Sequence, residues 1–413
     1  MGPFHSVTRR ATLGMTAVAL AAGPAVTSAD AQEPEPITTI APFEIDSYVK
    51  QANITPEEAR LRLEDQRKLP ALTAAAKQRL GDRYGGIYVD NDADDRITIV
   101  TAPGDTASAK RAAQDAAGEA FADANLRRPG AVVEGSTAER SREALQQRID
   151  EDLKAVNRSA PVTVDVEPDV KTGRLRLLVP VNATPEQRAF ADDATERYGL
   201  AIIRAPKTAA LQRTGCSSGA WCDPPLRGGI RLIYAGAGRC SSGFVVRSLS
   251  DNKRYLSTAG HCIYSSGFTG TWSTHFADGS SHDVGAPHNW ANDVAILKIN
   301  NVAGWSPGPY IRIQSNQTYR ISANGFSSVG MRVCMTAGFT DSNCGTVTGH
   351  YATRDGTPST YRASYCNVNG DSGGAVFADN TAFGSNVGFY HACDSVYLAS
   401  PAFDPLLNVA PLT

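Results

Sequence analysis

The chain has 413 residues and a formal net charge of −2, so it can hold two or three domains, and its charge does not indicate nucleic acid or an acidic polymer as a partner. Residues 1–215 hold 28 Lys+Arg and 31 Asp+Glu, whereas residues 216–413 hold only 12 Lys+Arg and 11 Asp+Glu. All eight cysteines and all four tryptophans follow residue 215. A charged, helix-favouring half therefore precedes a strand-favouring half.

The first 31 residues have the pattern of an export signal. A basic pair, Arg9-Arg10, precedes a short apolar segment, and an Ala-x-Ala site ends at Ala31. The apolar segment is too short to span a membrane. General secretion and twin-arginine export both remain open. We therefore expect residues 1–31 to be a cleaved signal peptide and the chain to be secreted, with no membrane association after export.

Residues 32–205 read as one region that contains an α+β module from about 41 to 205. Thr55-Pro56-Glu57-Glu58 predicts a capped helix start, and Pro70 ends that helix. A weak internal repeat follows, in which a hairpin precedes a helix in each copy. Its elements, with one helix between the copies, are predicted at 87–89, 97–100, 106–121, 138–156, 162–166, 175–179 and 184–198.

Residues 206–227 form the predicted junction, and a maturation site is expected there. Arg204, Arg213 and Arg227 are candidate cleavage sites, and the sequence does not choose among them.

Residues 228–413 alternate short apolar segments with Gly/Ser/Asn turns, which predicts an all-β barrel fold. Eight cysteines without a Cys-x-x-Cys pair indicate disulfides in an oxidising compartment. A zinc site is the competing interpretation. It would need four ligands at closed spacing, and the histidines do not cluster with the cysteines in that way.

Three short motifs carry the chemistry of this half. Ser257-Thr258-Ala259-Gly260-His261-Cys262 places a histidine after an apolar segment. Asn292-Asp293 precedes a strand-like segment, and Gly370-Asp371-Ser372-Gly373-Gly374 places a serine among glycines. Serine needs a base and oxyanion-binding N–H groups to act as a nucleophile.

The order His261, Asp293, Ser372 resembles that of the chymotrypsin-type serine proteases, and Cys366, six residues before the serine, resembles the bacterial streptogrisin and α-lytic protease group. The resemblance implies a protease domain with a double six-stranded β-barrel, preceded by an α+β pro-domain. It also implies that the pro-domain acts as a folding template and inhibitor, so that the protein is a zymogen. An independent binding module is the alternative for the N-terminal region.

The resemblance also assigns roles. Ser372 would be the nucleophile, His261 the general base and acid, and Asp293 the group that orients the histidine. The backbone N–H groups of Gly370 and Ser372 would form the oxyanion hole. No metal or organic cofactor is implied. The implied disulfides are Cys240–Cys262, Cys334–Cys344 and Cys366–Cys393, which leaves Cys216–Cys222.

Two features depart from the family pattern. The family pairs the aspartate matched by Asp371 with an arginine where this chain has Met335, so Arg332 is the predicted substitute. The expected substrate wall is Val387-Gly388-Phe389, with Phe389 narrowing the pocket for P1, the residue whose carbonyl is attacked. We expect a narrow pocket that favours small apolar P1 residues.

The sequence thus predicts a monomeric, extracellular serine endopeptidase that acts on protein or peptide substrates. A catalytically decayed binding protein of the same fold is one alternative. An esterase or cell-wall amide hydrolase that uses the same triad is another.

Overall fold

The computed structural model describes residues 40–158, 160, 163–198, 202–207, 226–234, 238–264, 270–275, 281–299, 307–313, 317–354, 357–391 and 393–413. The predicted signal peptide, most of the predicted junction and the predicted pair Cys216–Cys222 lie outside these residues. Residues 36–413 belong to one compact unit. The described part of 40–207 is called the N-terminal module below, and that of 226–413 the C-terminal module.

The N-terminal module contains six helices and six strands among its described residues. The helices are α1 Pro42–Ala52, α2 Pro56–Gln66, α3 Leu69–Leu80, α4 Ala107–Ala124, α5 Glu139–Asn157 and α6 Pro185–Tyr198. The strands are β1 Tyr84–Asp90, β2 Arg96–Thr101, β3 Ala131–Glu134, β4 Asp165–Asp169, β5 Arg174–Pro180 and β6 Ile202–Lys207.

The predicted capping residues begin two of these helices. The Thr55 hydroxyl accepts a hydrogen bond from the Glu58 N–H at 3.2 Å. Thr184 and Gln187 form a complete capping box, in which each side chain accepts a hydrogen bond from the other residue's N–H. Pro70 ends α2 and lies in the first turn of α3, where its missing N–H costs little.

The internal repeat is present as two β-β-α-β units. In each unit an antiparallel hairpin is followed by a helix and then by a third strand, which lies parallel to the second strand of the hairpin. The third strands, β3 and β6, were not predicted. Helix α1 was not predicted either.

The C-terminal module contains eighteen strands and two short α-helices among its described residues. The first group of strands is β7 Arg231–Tyr234, β8 Gly238–Ser241, β9 Val245–Ser248, β10 Arg254–Thr258, β11 Trp272–His275, β12 Ser281–Gly285, β13 Pro287–Ala291 and β14 Val294–Lys298. Next come β15 Tyr310–Arg312, β16 Thr318–Arg320 and β17 Ala323–Asn324. The last group is β18 Arg332–Thr336, β19 Asn343–Arg354, β20 Thr357–Ala363, β21 Ala375–Ala378, β22 Thr381–His391, β23 Asp394–Ala399 and β24 Val409–Pro411, and the helices are α7 His261–Tyr264 and α8 Phe403–Leu407.

These strands form one closed barrel and, before it in the sequence, a first layer of open sheets. Strands β18 to β23 close into a six-stranded barrel, because β22 pairs with both β21 and β23. The first layer consists, in the described residues, of a four-stranded sheet and a five-stranded sheet that includes the C-terminal β24. Its core includes Leu232, Leu256, Trp272 and Leu297, all nearly inaccessible to solvent.

One hydrophobic core joins the N-terminal module to the closed barrel. It contains Leu72 and Ile99 from the N-terminal module together with Val333, Val376 and Tyr397 from the barrel. The backbone N–H of Val89 also donates to the carbonyl of Val329 at 2.8 Å. The two modules therefore share buried apolar surface. Among the described residues no helix is long and apolar enough to span a membrane.

Candidate active site

His261 and Asp293 lie next to the ends of two neighbouring strands of the first layer. Strand β10 ends at Thr258, and β14 begins one residue after Asp293. The two strands are antiparallel, with Thr258 opposite Ala295, so the end of one lies beside the start of the other. This pairing places residues that are 32 positions apart in the sequence at the same edge of the sheet.

The histidine is held through two of its nitrogens. The Oδ1 atom of Asp293 lies 2.8 Å from Nδ1 of His261 and accepts the backbone N–H of the same residue at 2.9 Å. The two side chains are buried, with 6% and 3% of each residue exposed. A buried carboxylate on Nδ1 favours the tautomer that leaves Nε2 free to accept a proton.

Ser372 comes from a tight turn at the start of β21 in the closed barrel. Its Oγ atom lies 2.9 Å from Nε2 of His261. The turn needs glycine, because φ is +104° at Gly370 and +92° at Gly373. A Cβ atom at Gly373 would also collide with the carbonyl oxygen of Ser241. The Ser241 N–H donates to the Ser372 carbonyl at 2.7 Å, which fixes the turn against the first layer.

Asp371 is fully buried and is held by backbone groups. Its Oδ1 accepts the Thr340 N–H at 2.9 Å and its Oδ2 accepts the Val368 N–H at 2.8 Å. Burial raises the pKa of this carboxyl, and these hydrogen bonds oppose the rise. The predicted pairing with Arg332 is wrong. Residues three apart on strand β18 point to opposite faces, so Arg332 cannot take the place of Met335.

Arg332 instead contacts the N-terminal module. Its guanidinium donates to Gln51 and to Ser47, the latter at 3.4 Å, and lies 4.9 Å from the centre of the Tyr48 ring. Its backbone N–H donates to the Gln66 side chain at 2.8 Å. This arginine therefore joins helices α1 and α2 to the closed barrel.

The predicted substrate wall lies on β22, next to the serine turn. Val387 and Gly388 are buried, and Phe389 is partly exposed. The strand is tied to the turn by the Asn386 N–H, which donates to the Gly374 carbonyl at 2.8 Å. Sequence analysis missed the side chains of Asn386 and Asn367, which are hydrogen-bonded to each other beside this wall. An asparagine in a glycine-rich loop is read as a turn residue, so the sequence carries no signal for this contact.

Among the residues that the structure describes there are three disulfides, Cys240–Cys262, Cys334–Cys344 and Cys366–Cys393. They are the pairs that the resemblance implies. The first lies directly beside His261, and the third joins the segment that leads to Ser372 to the strand pair β22–β23. Both therefore brace segments that carry site residues.

Comparison with known proteins identifies relatives of this chain among bacterial serine proteases. No protein-family model matches the chain. It is 28% identical over 396 residues to streptogrisin-C of Streptomyces griseus, covering 93% of this chain and 78% of that protein. It is 34% identical over 170 residues to serine protease 2 of Streptomyces fradiae, covering 40% of this chain and 94% of that protein. It is 32% identical over 163 residues to glutamyl endopeptidase 2 of Streptomyces griseus, covering 38% of this chain and 81% of that protein.

The chain therefore belongs to the chymotrypsin-type bacterial serine proteases of the streptogrisin group, and it is a serine endopeptidase.

Proposed function

We propose that the protein is a secreted endopeptidase, made as a zymogen, that hydrolyses peptide bonds through Ser372, His261 and Asp293. The single observation that carries this proposal is the continuous contact from carboxylate to imidazole to hydroxyl, at 2.8 and 2.9 Å. Both distances are within hydrogen-bonding range, and the order of the groups is that required for general-base activation of a serine.

In the first step His261 removes the proton from the Ser372 hydroxyl as Oγ attacks the scissile carbonyl. The negative charge that forms on the carbonyl oxygen is received by the backbone N–H groups of Gly370 and Ser372. His261 then gives its proton to the leaving amine, and the substrate's acyl part stays on Oγ as an ester. Asp293 stabilises the charged imidazole without taking its proton.

In the second step water takes the place of the amine. His261 removes a proton from the water as it attacks the ester carbonyl, and the same N–H groups again receive the charge. Collapse of this intermediate releases the acid product and returns the proton to Ser372 Oγ. The substrate is a protein or a peptide.

The wall formed by Val387, Gly388 and Phe389 would contact the substrate and make the P1 pocket narrow. Support comes from the position of β22, whose backbone is hydrogen-bonded to the serine turn through Asn386. The partly exposed Phe389 is large enough to restrict the opening.

The region 32–205 would act as a folding template and inhibitor, with residues 206–227 as the maturation segment and 228–413 as the mature enzyme, a monomer. Three observations support this role. The N-terminal module shares a core with the closed barrel, Arg332 is bonded to helix α1, and Ser372 is fully buried in the precursor. Pairing distant strands makes such β-barrels slow to fold, so a module that binds the barrel would assist folding.

Secretion is supported by the sequence pattern of residues 1–31 and by the three disulfides, which form and persist outside the cytosol.

The experiment is intact-mass analysis of the secreted, processed protein after reaction with a fluorophosphonate, which phosphonylates activated serines. We expect one adduct on the wild type and on Ser250→Ala, an exposed-serine control, and none on Ser372→Ala. The same spectrum gives the mature mass and hence the cleavage site. A folded, processed protein that forms no adduct, or forms it equally in Ser372→Ala, would contradict the proposal.

A further inference from the structure

The two N–H groups proposed to bind the oxyanion, those of Gly370 and Ser372, belong to peptide units that are separated by one other unit. This middle unit consists of the Gly370 carbonyl and the Asp371 N–H. Because each peptide unit is planar and rigid, rotating the middle unit changes the backbone angles at both of its ends. The two donors can therefore point at one oxygen only while the middle unit keeps its orientation.

Gly370 itself offers little resistance to such a rotation. Its φ is +104° and it has no Cβ atom, and glycine occupies a wide range of backbone angles. The restraint must therefore come from contacts at the two ends of the middle unit. At one end the Asp371 N–H donates to the carbonyl of Val368, in the same segment, at 3.1 Å.

The other end of the middle unit is held by the hydroxyl of Ser241, the last residue of β8 in the first layer. Its Oγ atom donates to the Gly370 carbonyl at 2.8 Å and accepts the Gly338 N–H at 2.8 Å. Both roles are fixed, because a backbone N–H can only donate and a carbonyl oxygen can only accept. Ser241 is fully buried, so both hydrogen bonds are shielded from solvent.

Ser241 holds the turn at a second point through its backbone. Its N–H donates to the Ser372 carbonyl at 2.7 Å. One residue of the first layer is thus hydrogen-bonded to the carbonyls on both sides of Asp371. The preceding residue, Cys240, is joined by a disulfide to Cys262, which directly follows His261. The same segment therefore connects the serine turn to the histidine.

The ring of Phe339 contacts Gly370 from another side. It fills the space in which a side chain at Gly370 would lie, since its Cδ2 atom would be 2.6 Å from an added Cβ. The guanidinium of Arg231 lies over this ring, 4.4 Å from its centre, and also donates to the Gly338 carbonyl. These contacts keep Phe339 packed against Gly370.

We propose that Ser241 is a positioning residue for catalysis, whose hydroxyl holds the peptide unit between the two oxyanion donors, with the Phe339 ring as a weaker support. This inference rests on the proposed function. Neither side chain needs to touch the substrate, because each acts through Gly370. The charge on the substrate oxygen develops fully only in the transition state, so displaced donors should lower kcat and leave KM nearly unchanged.

The test is Ser241→Ala in the processed enzyme, with Ser242→Ala as the matched control. Ser242 is also fully buried, but its hydroxyl accepts the N–H of Ile230, beside β7, at 3.0 Å. Both variants should unfold at lower urea, because each leaves a buried backbone group unpaired. Only Ser241→Ala should lower kcat, by about 10²-fold, since a small displacement of positioned groups has an effect of that size.

Binding of a transition-state analogue separates positioning from general destabilisation. A peptidyl trifluoromethyl ketone forms with Ser372 a tetrahedral adduct that carries an oxyanion, whereas a peptide product binds without one. For Ser241→Ala, the inhibition constant of the ketone should rise about as much as kcat/KM falls, and that of the product should change less than about threefold. Wild-type kcat in Ser241→Ala, or a loss of ketone affinity no larger than that of Ser242→Ala, would overturn the inference.

Phe339→Ala keeps the inference falsifiable if Ser241→Ala does not fold. Phe339 is partly exposed, so its truncation should be tolerated. We expect kcat to fall by about 10-fold and ketone binding to weaken by the same factor, with KM unchanged. The control is Phe326→Ala, at an exposed phenylalanine, which should keep the wild-type kcat. If Ser241→Ala did not fold and Phe339→Ala kept the kcat and ketone affinity of Phe326→Ala, the inference would be wrong.

Fluorophosphonate labelling of the same samples distinguishes the failures of the two proposals. An adduct on Ser372 of the wild type, together with equal kcat in Ser241→Ala and Ser242→Ala, would overturn the inference alone. No adduct on the wild type and no hydrolysis of any peptide would overturn the proposed function and the inference with it.

Discussion

The carboxylate of Glu44, in helix α1, accepts the backbone N–H of Asp379 in the closed barrel at 2.9 Å. Glu44 is 4% exposed, and its second oxygen has no hydrogen-bond partner among the described residues. Burial, with a smaller contribution from the negative charge of Asp379, raises the pKa of Glu44 to about 7, while Arg67 opposes the rise. An ionisable group thus lies directly at the contact between the two modules.

We therefore predict that Glu44 makes the stability of the precursor depend on pH. A carboxyl whose pKa is raised on folding contributes full stability below its unfolded pKa, and this contribution is lost as pH rises through the folded value. For Glu44 the window runs from about 4.5 to about 7. Relative to the wild type, Glu44→Gln should become more stable across that window, by at most about 3 kcal/mol.

The measurement is urea unfolding of the precursor in the Ser372→Ala background at pH 4.5, 6 and 8. The exposed Glu57→Gln is the matched control, and its effect on stability should be much smaller than that of Glu44→Gln at pH 8. A Glu44→Gln difference that is constant between pH 4.5 and 8 would show that the carboxyl does not titrate in this window.

Arg332 should stabilise the precursor and should have little effect on catalysis. Arg332→Met keeps much of the apolar side chain but loses the hydrogen bonds to Ser47 and Gln51. Hydrogen bonds from a charged donor are typically worth about 1.5–3 kcal/mol, so the precursor should unfold at correspondingly lower urea. The kcat/KM of the processed enzyme should stay within about twofold, because Arg332 does not contact the site.

Arg247→Met, at an exposed arginine, is the control for this experiment. If Arg332→Met lowered kcat/KM strongly while leaving precursor stability unchanged, Arg332 would have a role at the site that the described contacts do not provide.

The error about Arg332 shows what sequence reasoning can and cannot reach. The contact of His261 with Asp293 and Ser372 could be expected because each residue lies in a short motif, and the fold brings the three motifs together. The partners of Asp371 could not, because they are uncharged: the backbone N–H groups of Thr340 and Val368, together with the Thr340 side chain, which no motif marks. A search for a charged partner was bound to select the wrong residue.

The fold also contains some elements that the sequence predicts and others that it does not. The hairpins and helices of the N-terminal repeat have strong local signals, in alternation and capping. Strand β3 is four residues long and only partly buried, and it is stabilised by parallel pairing with β2, so its own sequence gives little indication of a strand. The contact between Asn367 and Asn386 likewise joins two segments that are distant in the sequence. Such features are set by tertiary structure and not by local pattern.

Asp371→Asn should impair the turn that carries the proposed oxyanion-binding N–H groups of Gly370 and Ser372. The substitution exchanges one acceptor oxygen for an NH₂ group that faces a backbone N–H, so a buried donor loses its partner. We expect a loss of about 1–3 kcal/mol in stability. We also expect kcat to fall by about 10²-fold, because the N–H groups on either side of Asp371 would shift from the oxyanion position.

The steady-state constants of the processed enzyme and its urea midpoint test this prediction, with the exposed Asp404→Asn as control. A higher KM with unchanged kcat would mean that Asp371 supports substrate binding and not the turn.

Asp293→Asn tests the electrostatic part of the site, since it preserves shape but removes the charge beside His261. Oδ1 of Asp293 accepts from both the backbone N–H and Nδ1 of His261. An asparagine side chain can accept both hydrogen bonds only when its own Oδ1 takes that position. In that orientation it no longer stabilises the charged imidazole. We expect kcat to fall by about 10⁴-fold, with little change in KM, because the lost interaction is made mainly in the transition state.

The exposed Asp283→Asn is the matched control. The affinities of the two variants for a substrate-derived aldehyde inhibitor should differ less than their kcat values do. The rate of fluorophosphonate labelling should fall with kcat, since both reactions need His261 to take the Ser372 proton. If labelling stayed fast while kcat fell, the defect would lie in a later step, and the role proposed for Asp293 in activating the serine would be wrong.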